Sequence, residues 1–505
     1  MYVDEPPKDG NIPDFNISKI DICPFRAYQR SFRLFQGDFS TDIHQRSRLL
    51  CFTQNDHTGQ TGFKICSFLK WGQKIKNDIL MAKSNQVALG LIFCLFFLWA
   101  VSSNLLPTMI RQLMKTCELN TFEASFTESA YWLAYFVCPI PIAMFLRHFS
   151  YRAGIVVGLL LAAIGGLLFF PATMVKSYAV YLCVFFVIAT GMCFLETTAN
   201  PYVTELEDSA TATRRLNLAQ SFNGLGAFIS AMFLSKLVLS GKSYTRESLP
   251  LDYPGGWDGY IEMESNALKI PYLLLALALI FVAVFLFFVK LPKVAGENES
   301  KSKKKKLIDF KVLRYPHLSW GVVAQFFYNG GQTAINSLFL VYSCTYVGLD
   351  EGIATTFFGL YMLAFLLGRW IGTMLMIRFS PGKMLLMYAI VNMVLCLVVT
   401  CCGGMIGLYA MLGISFFMSI MYPTQFSMAL DGLGEQTKSG SAFLVMAIIG
   451  NACIPQLTAF LMHRLSDIYQ VAYFVPMLCF AVCAWYAYHY KQLKSKSNHL
   501  SSNHF

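Results

Sequence analysis

The chain has 505 residues, of which 55% are hydrophobic and only 14% are charged, and its formal net charge is +11. This composition excludes a string of soluble domains and predicts a polytopic membrane protein. The basic excess follows from the placement of lysine and arginine in a few loops, so it gives no reason to expect a nucleic-acid partner.

The first 86 residues carry mixed charge and contain no apolar run long enough for a spanning helix or a cleaved signal peptide. The sequence predicts a mostly disordered extension. Within it, the stretch 63–80 places Phe68, Leu69 and Ile79 near helical spacing among several lysines. This pattern is typical of an amphipathic helix on the inner leaflet, although an unstructured tail with chance periodicity explains it equally well.

Twelve apolar stretches follow, each near the roughly 20 residues that a helix needs to cross a bilayer. They predict an all-α membrane protein with two six-helix halves at 87–291 and 315–490, a basic connector at 292–314 and a tail at 491–505. The predicted spans are 87–110, 125–147, 153–174, 178–203, 214–240, 269–291, 315–344, 352–378, 382–402, 404–425, 440–463 and 469–490.

Basic residues cluster in alternate loops, after the second, fourth, sixth, eighth and twelfth spans, and the connector carries the lysine-rich run 301–306. By the positive-inside rule these loops are cytoplasmic, which predicts that both termini are cytoplasmic as well. The loop 241–269, which contains several acidic residues, is then on the outer side.

A short internal repeat supports the division into halves. Met144–Arg152 reads MFLRHFSYR and Met374–Lys383 reads MLMIRFSPGK, and each segment follows the second span of its half. Both place a phenylalanine–serine pair beside basic residues in a tight turn. The equivalent positions indicate two repeated halves joined by a cytoplasmic connector.

Glu196 lies deep inside the fourth span, where an ionisable group costs about 2 to 3 kcal/mol on insertion scales and usually serves function. Spans four and five are antiparallel, and Gln220 lies at a similar depth when counted from their loop. Asn200 and Asn223 share faces with these two residues. We expect no lysine or arginine from a nearby span at that depth, so Glu196 is predicted to bind and release a proton. The amides have an alternative role as hydrogen bonds between helices.

Span seven carries five polar residues at spacings of three and four, which place them on one helical face. A face of amides and a phenol without charge suits a water-filled cavity and a neutral polyhydroxylated ligand, although interhelical bonding is again the alternative. Its members are Gln325, Tyr328, Asn329, Gln332 and Asn336.

Three residues of other spans are candidates for the same cavity. Tyr422 and Asn451, in spans ten and eleven, extend its polar wall. Trp99, in span one, offers an aromatic face for the apolar side of a sugar ring, although simple packing against lipid or core explains it too.

Seven sequence runs occur in the order expected for one known family of transporters. They are FLWAVSSNLLP at 97–107, PIPIAMFLRHFSYRAGI at 139–155, FLETTANPYV at 194–203, RLNLAQSFNGLGA at 215–227, AQFFYNGGQTA at 324–334, FMSIMYPTQFSMAL at 417–430 and SGSAFLVMAIIGNACIP at 439–455. These runs resemble those of the fucose permease family of fucose, galactose and glucose proton symporters. The resemblance implies the major facilitator fold and alternating access around a central sugar site between two six-helix halves.

The resemblance assigns roles to individual residues. It implies that Glu196 is the glutamate of the proton and sugar pathway, that Gln220 and Asn223 are sugar-contacting amides, and that Tyr422 is a cavity tyrosine.

The chain also departs from the family pattern. Pro107 stands where the family has an aspartate in span one, and Val341 aligns with its arginine in span seven. Glu128, near the outer end of span two, is a candidate substitute acid, with a water-exposed interfacial carboxylate as the alternative.

The sequence therefore predicts a secondary transporter that moves a monosaccharide of the fucose, galactose or glucose type together with a proton. A monomer in the lipid bilayer of the plasma membrane is expected, with no cofactor and no metal, since the 15 cysteines show no ligand spacing. A facilitative uniporter and a non-transporting sugar receptor stay open as alternatives. An enzyme is not expected, because no nucleophile with a base is visible at depth.

Overall fold

The structure is a computed structural model of the chain. It describes residues 90–104, 113–114, 116–119, 121–175, 177–206, 209–230, 232, 249–250, 253–267, 269–289, 291–292 and 310–502. The amino-terminal extension with its stretch 63–80, most of the connector, and Pro107 lie outside these residues, so what the sequence predicts for them stays a prediction.

Throughout the described residues the regular structure is helical, and a helical passage lies at the position of each predicted span. Four passages consist of two pieces, and a short helix, Gly256–Ala267, precedes the sixth. The passages are α1 Gly90–Asn104, α2 Thr121–Val137 with Pro139–His148, α3 Tyr151–Leu167 with Phe169–Val175, α4 Tyr178–Glu205, α5 Ser209–Ile229, α6 Lys269–Phe288, α7 Pro316–Val341, α8 Glu351–Leu375, α9 Pro381–Cys402, α10 Gly404–Met418 with Met421–Leu430, α11 Thr437–Met446 with Gly450–Arg464, and α12 Phe474–Ser502.

Nine of these passages, counted among the described residues, are long and apolar enough to cross a membrane. The other three are α1, which is described over only 15 residues, and the more polar α5 and α7. Length and hydropathy therefore support nine spans among the described residues. The prediction of twelve spans rests on the positions of the helices. The three exceptions carry many of the polar residues that the sequence marks as functional, because a helix that lines a wet cavity does not need an apolar surface all round.

Helices within each half pack closely where glycine removes the side chain. In the first half α3 packs on α4, and a Cβ atom added to Gly191 would lie 2.4 Å from the Ala162 nitrogen. In the second half α7 packs on α11 and α12, and a Cβ atom on Gly450 would lie 2.1 Å from the Phe326 carbonyl oxygen. The halves themselves meet through α2 with α11, α5 with α8, and α5 with α10.

An even number of passages places the start of α1 and the end of α12 on the same side of the bundle, which we call the terminal face. The two turns of the internal repeat also lie there, between α2 and α3 and between α8 and α9. Ser150 caps α3 by accepting a hydrogen bond from the Ala153 nitrogen at 3.2 Å, and Ser380 occupies the equivalent position before α9. Phe149 and Phe379 are about half exposed in these turns, at 53% and 54%.

At the terminal face, side chains of one half donate hydrogen bonds to the other. Arg147 donates to the Ser439 hydroxyl at 2.7 Å, and the Lys438 ammonium donates to the Leu146 carbonyl at 2.6 Å. The same ammonium lies 4.9 Å from the centre of the Tyr151 ring. The two halves are therefore joined on this side.

The last turns of α12 continue past the predicted span, so the segment expected as a tail is helical through Ser502. His317, at the start of α7, hydrogen-bonds Ser497 at 2.7 Å and the Asp431 carbonyl at 3.0 Å. Lys494 forms an ion pair with the Asp431 carboxylate at 3.2 Å. This end of α12 is thus anchored to α7 and to the turn after α10.

Candidate functional site

A cavity of about 210 Å³ lies between the halves, on the far side of the terminal-face contacts. Its wall includes the carboxyl-terminal part of α1 as described, from Trp99 to Asn104, and the middle of α8, from Tyr361 to Arg369. Most of the predicted site residues are brought together there, namely Trp99, Glu196, Gln220, Asn223, Asn329, Gln332, Asn336, Tyr422 and Asn451.

Four residues predicted for this cavity lie outside its wall. Tyr328 is fully buried, and its hydroxyl donates a hydrogen bond to the Met418 carbonyl at 2.8 Å. Asn200 is fully buried behind it, and its side-chain Oδ1 accepts a hydrogen bond from the Gln220 side-chain amide at 3.2 Å. Gln325 is also fully buried, on the side of α7 that faces α10. Glu128 accepts a hydrogen bond from the Trp132 indole at 3.3 Å, so it reaches the cavity only through that ring.

Glu196 is bonded across the boundary between the halves. The Tyr422 hydroxyl donates a hydrogen bond to its carboxylate, and the two side chains are only 8% and 4% exposed, respectively. Tyr422 lies in the first turn of the second piece of α10, just after the break between Met418 and Met421. The acid that the sequence singled out therefore sits at the base of the cavity with a partner from the other half.

Arg369 corrects one expectation. The sequence analysis expected no cation at the depth of Glu196, but this α8 arginine lines the same cavity and is 3% exposed. Its guanidinium donates to the Gln220 carbonyl at 2.7 Å and to the Ser419 carbonyl at 2.7 Å, and it lies 4.4 Å from the centre of the Phe365 ring. No ion pair within the described residues joins it to Glu196.

The signal for Arg369 was present in the sequence, since it is an arginine within the apolar run of span eight. The argument that marked Glu196 as functional applies to it equally. Val341, which the family alignment placed opposite an arginine, lies at the end of α7 and is 45% exposed, outside the cavity wall.

Neutral polar groups line the rest of the cavity and are partly engaged with one another. Asn223 donates to the Phe96 carbonyl at 3.4 Å, and Thr333 donates to Asn451 at 2.8 Å. The Tyr361 hydroxyl donates to Asn336. Each amide has two donor and two acceptor positions, so these contacts orient the side chains and leave capacity for a ligand.

An aromatic wall faces these amides. Tyr131, Trp132 and Tyr135 of α2 line the cavity with Trp99, and the rings of Tyr131 and Tyr135 stack with centroids 5.6 Å apart. The sequence analysis missed this α2 cluster, although its spacing places the rings on adjoining positions of one helix face. Rings opposite amides suit a ligand that is apolar on one side and rich in hydroxyls on its edge.

A second, larger cavity of about 880 Å³ opens at the terminal face, and we call it the terminal groove. Thr213 of α5 and Ser427 of α10 lie at its wall and hydrogen-bond each other at 2.9 Å across the two halves. Asn217 and Thr424 make a similar bond at 3.1 Å, closer to the centre. Buried side chains therefore separate the groove from the central cavity.

Two helical halves that surround a polar cavity, with contacts closing one side, define a membrane transporter rather than an enzyme. The family model of the Major Facilitator Superfamily matches residues 88–455. The chain belongs to this superfamily.

Among curated proteins, the chain is 36% identical to the L-fucose-proton symporter of Escherichia coli over 428 residues, which cover 84% of this chain and 97% of that protein. It is 34% identical to the glucose/galactose transporter of Brucella abortus, over 80% of this chain and 94% of that one.

A solved structure described as a Major Facilitator Superfamily transporter, FucP, in the outward conformation has 36% sequence identity and a TM-score of 0.74, and the match covers 81% of this chain and 99% of that one. A proton:xylose symporter structure at 13% identity and a TM-score of 0.60 shows the shared fold alone.

Proposed function

We propose that the protein is a secondary transporter that carries one monosaccharide together with a proton by alternating access. The observation that carries the proposal is the hydrogen bond between Glu196 and Tyr422, which joins the halves at the base of the central cavity. A titratable group at that point senses both the ligand and the relative position of the halves. Binding and release of a proton at Glu196 then couples to transport.

The size and chemistry of the cavity support a monosaccharide. Its volume of about 210 Å³ lies below the range of pockets for drug-sized ligands, so it suits a single sugar ring. We assign the sugar hydroxyls to Gln220, Asn223, Asn329 and Gln332, and the apolar face of the ring to Trp99. A fucose, galactose or glucose type of sugar agrees with the names of the relatives.

We further propose that the terminal face is cytoplasmic, which places both termini inside the cell and agrees with the basic loops at that face. The state described here is then outward-facing, because the halves are bonded to each other at the terminal face. We assign the protein to the plasma membrane as a monomer, with the six-helix halves and basic connector as its domains.

A facilitative uniporter is the second candidate, and one observation favours it. The guanidinium of Arg369 donates hydrogen bonds to two backbone carbonyls. The site therefore accommodates this cation without a second carboxylate that could bind and release a proton. Glu196 would then serve only as a hydrogen-bond acceptor for the sugar and for Tyr422.

Uptake by proteoliposomes separates the two candidates. We expect the wild type to accumulate radiolabelled L-fucose, D-galactose or D-glucose above the outside concentration when the outside is acidic. The Glu196→Gln variant should equilibrate the sugar without accumulating it, because glutamine keeps the shape but cannot carry a proton. Accumulation by both proteins to the same degree would exclude Glu196 as the proton carrier, and equilibration by the wild type would favour the uniporter.

A further inference from the structure

The Glu196 carboxylate has a second tyrosine neighbour, which the proposed function does not use. Besides the Tyr422 hydroxyl of the second half, the Tyr135 hydroxyl of α2 lies next to this carboxylate from the first half. Both tyrosines line the central cavity, and Tyr135 is only 2% exposed. The acid at the base of the cavity thus lies between one phenol from each half.

The hydrogen bonds along α2 leave the Tyr135 proton for Glu196. The Ser103 hydroxyl donates to the Trp99 carbonyl at 3.1 Å, so the Ser103 oxygen accepts from the Tyr131 hydroxyl, 3.3 Å away. The Tyr131 proton is then used, and the Tyr135 hydroxyl, whose ring stacks on that of Tyr131, needs an acceptor of its own. A carboxylate is a stronger acceptor than a neutral hydroxyl oxygen, so the Tyr135 proton goes to Glu196.

Helices α2 and α4 belong to one half, so Tyr135 stays beside Glu196 when the halves move. The two helices pack closely, and the Thr127 and Tyr178 hydroxyls join them by a hydrogen bond of 3.0 Å at the end remote from the terminal face. Tyr422 belongs to the other half. Its bond to the carboxylate therefore depends on the state of the transporter, whereas that of Tyr135 does not.

The other ionisable groups near Glu196 are engaged elsewhere or lie on its own helix. Cys193 precedes it by one turn on α4, and Arg369 of α8 lines the same cavity but donates to two backbone carbonyls. Lys438 of α11 and Arg215 of α5 bind backbone carbonyls nearer the terminal face. Among the residues that the structure describes, α1, α3, α5, α7 and α11 contribute no ionisable side chain to the cavity wall. The two phenols are therefore the hydroxyl donors that face this carboxylate.

We propose that Tyr135 is a positioning residue that holds the Glu196 carboxylate in both the outward-facing and the inward-facing state, and so sets the pH at which the transporter binds and releases its proton. The inference rests on the proposed symport. Tyr422 links the carboxylate to the position of the halves, whereas Tyr135 acts on it throughout the cycle. The Tyr135 hydroxyl keeps its own proton, because it stabilises the charged carboxylate by donating a hydrogen bond and does not carry the transported proton.

The pH dependence of transport tests this role in proteoliposomes with the protein in one orientation. Uptake and efflux of labelled L-fucose, D-galactose or D-glucose are measured while the pH is varied on one side at a time. Loss of a donor disfavours the charged carboxylate, so Glu196 in Tyr135→Phe should keep its proton to higher pH. We expect the half-maximal pH to rise by about one unit on both sides, a tenfold change in proton affinity. Tyr422→Phe should move the outer profile alone.

The sugar affinity and a second background separate positioning from contact with the sugar. At a pH low enough to keep Glu196 protonated, Tyr135→Phe should transport the sugar with the wild-type KM, because the lost bond matters only for the charged carboxylate. Added to Glu196→Gln, the same change should leave sugar exchange independent of pH, since glutamine does not titrate.

Tyr181→Phe is the matched control. Tyr181 is a fully buried tyrosine on the same helix as Glu196, and it lies outside the cavity wall. Its hydroxyl makes no hydrogen bond to another described residue. We expect this variant to keep the wild-type pH profiles on both sides.

The outcomes separate the role of Tyr135 from the proposed function. A wild type whose transport does not depend on pH overturns symport and this inference together. A pH-dependent wild type, with superimposable profiles for Tyr135→Phe, overturns the inference alone. A raised KM at low pH, or loss of transport at every pH, also overturns it, because the hydroxyl would then contact the sugar or support the packing. A shift of the outer profile alone would show that the partner changes with the state, and would overturn it as well.

Discussion

The two sides of the bundle use polar side chains in opposite ways. At the terminal face Arg147 and Lys438 donate hydrogen bonds to acceptors in the other half, and Asn217 does so between this face and the cavity. In the central cavity Asn223 and Asn329 make single contacts with backbone carbonyls and keep further hydrogen-bonding capacity. The comparison teaches that the first set joins the halves, whereas the second set keeps the hydrogen-bonding capacity that the proposed sugar site requires.

Arg369 joins the two halves at the central cavity, through the Gln220 carbonyl of α5 and the Ser419 carbonyl of α10, so its removal should give the largest effect. Arg369→Met removes two hydrogen bonds from a charged group to buried backbone carbonyls, and such bonds contribute about 1.5 to 3 kcal/mol each. We expect transport to fall at least about a hundredfold and thermal stability in detergent to drop. Uptake assays and thermal unfolding measure the two effects.

The matched control for this change is Arg464→Met. Arg464 also lies over a phenylalanine ring, with its guanidinium 5.4 Å from the centre of the Phe460 ring, but it is exposed at the end of α11. Transport at the wild-type rate in both Arg369→Met and Arg464→Met would contradict the role of Arg369 in joining the halves.

Tyr422→Phe tests the bond at the base of the cavity. Hydrogen bonds to a carboxylate are about twice as strong as neutral ones, so we expect proton-driven accumulation to fall about tenfold. Tyr361→Phe removes a hydroxyl from the same cavity, but its partner is the neutral amide of Asn336, and a smaller fall is expected. Equal losses in initial-rate assays would mean that the charge on Glu196 plays no special part.

Lys438→Met should weaken the terminal face. It removes the bond to Leu146 and the contact with the Tyr151 ring, which shifts the balance towards the open state about tenfold. Electron–electron resonance between bioorthogonal spin labels at Phe149 and Phe379 reports the opening as a longer distance.

Lys496→Met serves as the control for that measurement, since Lys496 is exposed on the last turns of α12. An identical distance distribution in Lys438→Met and the wild type would show that other contacts hold the face closed.

Thr213→Val should give the smallest shift on the same labels. It removes one neutral bond to Ser427, which corresponds to an increase of about threefold in the open population. Thr400→Val, whose lost bond to the Cys396 carbonyl lies within a single helix, should leave the population unchanged. A larger effect than that of Lys438→Met would reverse the ranking of the contacts.

Much of the fold follows from the sequence because each passage is a local property. A run of about 20 apolar residues specifies a helix, and counting residues from a turn was enough to place Gln220 near the depth of Glu196. The structure adds that Gln220 bonds Asn200, which is again a contact between neighbouring passages.

The contacts across the halves could not be predicted in this way. Glu196 and Tyr422 are 226 positions apart, and their bond depends on how two independent bundles dock and on the break in α10. The fully buried position of Gln325 has the same cause, because the side of α7 that faces α10 looks as polar in sequence as the side that faces the cavity. Arg369 could have been predicted from its place in the apolar run of span eight. The expectation that no cation lies at the depth of Glu196 was the reason that it was missed.

The end of α12 has a practical consequence. The helix runs without interruption to Ser502 and is clamped by His317 and Asp431, so its direction is set by the second half rather than by solvent. A reporter domain fused in helical register after this point would inherit that direction and follow the half as a rigid arm. The end of α12 is thus a suitable site for a rigidly fused fiducial domain, which small membrane proteins generally need for particle alignment in electron microscopy.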